Sequence, residues 1–221
     1  MNSHLDDLID RLADDLKPVR LLRASRLWFG AFIGLMTATA FVFFVYSFRP
    51  EVIALSKGVL PSHFTPIGKP LLFFTLGVTA LSAVSRLNRP ESEIKLLQIF
   101  PIFGGSGIAI VNMGFQLATK GWNASARQLN ENVLSCFATI WVGGSLGMFV
   151  LWKYWLRQGA TSFPRAMAAM SGLATASLMA SAYALHCTMD APVYIVLVYG
   201  VAVTVFTGTV ALFGGNLLRL R

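Results

Sequence analysis

Two thiols are the groups here best able to do chemistry. Cys136 and Cys187 are the only cysteines in 221 residues, and His186 stands directly before the second. A thiol exposed to an oxidising compartment can pair, bind a soft metal or be oxidised. An adjacent imidazole can add a metal ligand. Two sulfurs with one histidine make at best a transient metal site. The spacing is neither a C-x-x-C pair nor a disulfide framework. A purely structural role for both cysteines competes evenly with a reactive one at this point.

A second pattern lies at the N-terminus. Leu5, Leu8, Ile9, Leu12 and Leu16 fall on one stripe at helical spacing, and Asp6, Asp7, Asp10, Asp14 and Asp15 cover the remaining faces. Ser3 is placed to cap this helix, and Pro18 ends it. A helix this short is marginal alone in water, so its stripe needs a partner. Five aspartates argue against an anionic lipid surface. A protein groove with basic edges fits, as does docking against loops of the same chain.

The rest of the chain must position these groups, and its composition says how. Hydrophobic residues make up 55% and charged residues only 13%, about half the charge of a soluble domain. Mean hydropathy is +0.63. Six stretches suit a bilayer core, which needs about 20 mostly apolar residues. They are Leu27–Ser47, Pro70–Ser85 (extending back through Ile67, with Lys69 snorkelling to the interface), Leu96–Thr119, Val133–Leu156, Arg165–His186 and Pro192–Leu218. Ser162 before Pro164 and Asp190 before Pro192 have the order of a capping residue followed by a first-turn proline. A signal peptide is the competing reading of the first stretch. Its apolar run continues well past the small residues Ala38–Thr39–Ala40, which favours an uncleaved anchor.

With the N-terminus inside, thirteen of the 18 basic residues fall on the cytoplasmic side and five, Arg49, Lys57, Lys69, Lys120 and Arg127, on the other. That bias orients an even number of spans with both termini cytoplasmic. It also puts Cys136, at the start of the fourth span, and Cys187, at the end of the fifth, near the opposite leaflet. The expected fold class is all-α: an integral membrane bundle of six transmembrane helices with a short cytoplasmic N-terminal amphipathic helix. Residues 1–25 form the arm and 26–221 the bundle.

Several classes are disfavoured. No acidic or basic residue falls mid-span, which argues against proton relays and ion-coupled transport. No hydrolase, zincin or nucleotide-binding motif appears, so neither an enzyme nor a cofactor is expected. The net charge of +8 lies beside apolar runs rather than in a recognition stripe, so direct nucleic-acid binding is not expected. Asn112 and Gln116, one turn apart, suit hydrogen bonds between helices. The glycine clusters of the third and fourth spans and the small residues of the fifth suit close backbone approach.

Three segments then resemble a known family. "LDDLIDRLADDLKPVRLLR" (5–23), "SAYALHCTMDAPVYIVLVYG" (181–200) and "LSCFATIWVGGSLGMFVLWKYWLRQGA" (134–160) are similar to the NrsF family, negative regulators of extracytoplasmic-function sigma factors. The first two are specific, because generic apolar helices would not reproduce the acidic arm or the "ALHC" run. "LLRASRLWF" stands where a more proline-rich junction is usual, which blurs the end of the binding segment.

The resemblance implies a six-span anti-sigma protein of the bacterial inner membrane. Its cytoplasmic arm, through Leu5, Asp6, Leu8, Ile9, Asp10, Leu12, Asp14, Asp15 and Leu16, would sequester the sigma factor. Cys136 and Cys187, with His186 as a possible auxiliary, would sense heavy metals or oxidants. The expected partners are that sigma factor and membrane lipid. A membrane thiol redox carrier or small-solute transporter using the same two thiols is the alternative; nothing in it explains the acidic arm.

Overall fold

In the computed structural model, the described residues are 24–59, 65–87, 96–129, 133–158, 161 and 163–219. The acidic arm, Leu5 to Leu16, lies outside them. Among the described residues the structure is helical, without strands. α1 is Ala24–Tyr46, α2 Pro50–Ser56, α3 Thr65–Leu87, α4 Leu96–Ala126, α5 Val133–Tyr154 and α6 Pro164–Ala184. A further rod follows without a break: α7 Pro192–Tyr194, a π-helical turn Ile195–Gly200, and α8 Val201–Arg219.

Five helices among the described residues are long and apolar enough to cross a membrane: Ala24–Tyr46, Thr65–Leu87, Phe100–Ala126, Val133–Tyr154 and Pro192–Gly214. They mark a membrane protein. Their outward faces carry exposed rings such as Phe32, Phe44, Phe103 and Phe213, the composition hydrocarbon favours.

The remaining long helix, α6, is at the centre. It packs most extensively against α3 and α8, then α5 and α1. Its alanines, serines and glycine explain both facts. Small side chains lower its hydropathy and let neighbouring backbones come close. A methyl built on Gly172 would stand 2.9 Å from Val210 Cβ, and one on Gly77 2.8 Å from Leu178 Cγ. A methyl on Gly143 would collide with Met179.

Some sequence expectations change in detail. Leu96–Thr119 continues to Ala126 through a break at Gly121, whose φ of 73° a side chain would resist. The short helix α2 was not foreseen. Pro164 and Pro192 do open their helices. Asp190, however, does not cap: Ala191 is the N-cap and no side chain caps the helix. Ser162 lies outside the described residues. Asn112 turns back to Ile108 O in its own helix, whereas Gln116 does reach across, its Oε1 accepting from Val193 N–H at 2.9 Å.

Two buried clusters sit at opposite ends of the bundle. One joins Leu27 of α1, Ala80, Leu81, Val84 and Leu87 of α3, Trp155 and Leu156 after α5, and Met167 and Ala174 of α6. The other joins Val42, Phe73, Cys136, Ile140, Tyr183, Cys187, Tyr194 and Tyr199. Alternating helix directions bring the end of α1, the start of α3, the start of α5 and the end of α6 to the same pole.

Candidate functional site

Cys136 and Cys187 meet in that second cluster, 0% and 5% exposed, and neither forms a disulfide. Cys136 is on the first turn of α5, and Cys187 lies three residues past α6. Their carriers are fixed from both sides. Ser135 Oγ lies 3.4 Å from Tyr183 Oη, and Tyr46 Oη 3.1 Å from Thr139 Oγ1. Ser181 Oγ donates to Pro70 O at 2.9 Å, tying α6 to the start of α3.

The segment after α6 is held by two cations. Arg49, between α1 and α2, grips Asp190 with two parallel bonds, Nη1 to Oδ1 at 2.9 Å and Nη2 to Oδ2 at 2.7 Å. Its Nη1 also reaches Cys187 O at 3.2 Å, its Nε reaches Glu51 Oε2 at 3.2 Å, and its backbone N–H donates to Leu185 O at 3.1 Å. A fork of this kind is among the stronger charged contacts in proteins. The hydrogen bonds that Arg49 donates to Asp190 raise the Arg49 pKa above its ordinary value. The Glu51 carboxyl is lowered, first by its own backbone N–H and then by Arg49.

Lys69, on the first turns of α3, is the second cation. It was expected to snorkel outward. Instead it is 2% exposed and turned inward. Nζ donates to Met189 O at 2.9 Å and to Cys187 O at 3.4 Å, and sits 4.4 Å from the Tyr199 ring centroid. Two carbonyls and a π face accommodate the three N–H bonds of an ammonium. Inward rotation costs desolvation, and these partners offset it. Cys187 O therefore accepts from both Arg49 and Lys69.

Tyr194 and Tyr199 close the site. Five residues apart on an α-helix they would point about 140° apart. The π-helical turn between them, with i→i+5 bonding, brings them toward one face, and their ring centroids stand 6.2 Å apart. Both are fully buried, and the polar groups their hydroxyls meet are the thiols. Both lie within electrostatic reach of Cys136 and Cys187.

His186 stands at the rim. Its Nδ1 is 2.9 Å from Ser47 O, and its ring packs on Tyr46 and Tyr183. Among the described residues no group of three or more His, Cys, Asp or Glu is arranged to hold a metal. The arrangement can present two sheltered thiols to a small reagent, with an ammonium and two hydroxyls beside them. Sequence reasoning named both thiols and His186 but missed Lys69, Arg49, Asp190, Tyr194 and Tyr199. Lys69 and Arg49 were counted only as outer-side charges. The signal available for Lys69 was its place between Pro66 and Pro70 in an apolar run; for the tyrosines there was none, because a π turn leaves no mark on apolar periodicity.

The family model described as negative regulator of sigma F, NrsF, matches residues 12–220, nearly the whole chain. No curated protein and no solved structure matches. The chain belongs to the NrsF family.

Proposed function

From membership of a family of sigma-factor negative regulators, we propose that this protein is a membrane-bound anti-sigma factor. Its acidic, leucine-striped arm, residues 1–25, holds an extracytoplasmic-function sigma factor at the cytoplasmic face. The bundle, residues 26–221, crosses the inner membrane six times, with α6 as the central crossing and both termini inside. Heavy metal or oxidant reacting at Cys136 and Cys187 on the outer side repacks α5 against α6 and releases the sigma factor.

The observation that carries this reading is the meeting of the two thiols in one buried cluster, although they come from different helices. Chemistry at one sulfur is then felt by the packing of the other's helix. The central place of α6 gives such a change a route to the opposite pole. A shift of about 1.4 kcal/mol would alter release tenfold.

The test has two arms. Leu8→Asp with Leu12→Asp is expected to abolish co-purification of the sigma factor; unchanged binding would remove the arm from the mechanism. Replacing both cysteines with serine is expected to leave binding intact and hold the regulon off under stress. Induction that persists in that double variant would rule the thiols out as the sensor.

A further inference from the structure

Resting on the reading that the thiols are the sensing groups, we propose that Lys69 is their positioning and selectivity residue. Its ammonium fixes the backbone of Cys187 and offers a positive charge to both sulfurs, so that among oxidants and heavy-metal species the small anions, oxyanions included, are favoured at the thiols and bare cations disfavoured.

Four observations converge. Lys69 is buried, and its bonds to Met189 O and Cys187 O with the Tyr199 ring face satisfy a protonated amine. Both thiols lie within its electrostatic reach. Asp190 acts on it across space as well, but both Asp190 oxygens bond to Arg49, so no described carboxylate pairs directly with the lysine. Finally, the Tyr194 and Tyr199 hydroxyls are buried against the same sulfurs, and the thiols are the polar groups they meet. They can donate to an anion, whereas both carboxylates among the described residues, Glu51 and Asp190, are already bonded to Arg49.

The test uses the full chain in detergent or native vesicles and compares alkylation by iodoacetate, an anion, with iodoacetamide, its neutral counterpart. In each reaction a sulfur–carbon bond forms, iodide leaves, and the thiol proton passes to buffer. The ratio of the two rates cancels effects of accessibility that both reagents share. Lys69→Gln retains a donor for Met189 O but no charge, and is expected to lower the iodoacetate-to-iodoacetamide ratio about tenfold, a modest demand on a unit charge a few ångströms away. Lys69→Arg is expected to restore most of it.

An unchanged ratio in Lys69→Gln, or thiols inert to both reagents in the folded protein, overturns the proposal. A second measurement needs no variant. The wild-type thiols should react faster with an anionic methanethiosulfonate than with a cationic one of similar size; the reverse order also overturns it. The sensing reading fails separately. If the ratio falls as expected but cysteine-free protein still responds to stress, Lys69 selects anions at thiols that are not the sensor.

Discussion

At one pole of the bundle Leu27, Leu81, Val84, Trp155, Leu156 and Met167 close on one another as an apolar plug. At the other, two thiols, an ammonium, a guanidinium and two tyrosine hydroxyls are buried among comparable apolar neighbours. Both poles draw on α1, α3, α5 or its end, and α6, and the second adds the final rod; chain direction and helix length do not account for the difference. The first pole is assembled mainly from groups that gain by leaving water, with the buried Trp155 Nε1 as an exception. The second includes groups that lose by it unless they are partnered. An arrangement that resists its own burial is held by its network as a whole, and a change at one member is passed to the others.

The contrast can be broken most sharply at Asp190. Asp190→Ala leaves the Arg49 guanidinium, whose side chain is only 3% exposed, with Glu51 and Cys187 O alone, and is expected to cost about 3 kcal/mol. Unfolding by denaturing detergent, followed by helix content, measures it; a loss below about 1 kcal/mol would show that the fork is ornamental. At the apolar pole, Leu156→Ala should cost about 2–4 kcal/mol by leaving a cavity. It should leave the iodoacetate-to-iodoacetamide ratio of the thiols unchanged. A shifted ratio would mean that the poles are not separable.

Gly172→Ala tests the axis between them. Val210 Cβ stands 2.9 Å from the added methyl, so α6 and α8 must part, at about 1–3 kcal/mol. Near-wild-type stability would show that α8 yields freely. The smallest effect concerns acid. Glu51 has a lowered pKa, so its contribution is present above the ordinary carboxylate range and fades as pH falls through the lowered value. Being substantially exposed, it should account for less than about 1 kcal/mol. Stability of Glu51→Gln and wild type should therefore converge in acid and differ slightly at neutral pH.

Much of the bundle was legible because hydrocarbon imposes a length and a composition that can be read directly. Val133–Leu156 and Pro192–Leu218 fall within a few residues of the helices observed. The thiols were legible because cysteine is rare here and both lie near span ends. Lys69 was not, because the same lysine beside an apolar run can turn outward along the interface or inward to loop carbonyls. The choice depends on where Cys187 and Met189 come to rest. Asp190 misled for a related reason: ahead of a proline it reads as a cap, and only the fold brings Arg49 within reach. Tyr194 and Tyr199 were hidden by a backbone irregularity that hydropathy does not record.

That irregularity also divides the final helix into two phases. The residues of Ile195–Gly200 are wound less tightly than an α-helix, so the lipid-facing and core-facing sides of Val201–Arg219 are offset from where an unbroken α-helix from Pro192 would put them. Regular α winding of the same residues would turn Phe206 and Val210 away from the seats they share with Trp141 and Gly172. The turn thus lets one rod serve two masters, aiming its beginning at the sulfurs and its remainder at the spine of the bundle.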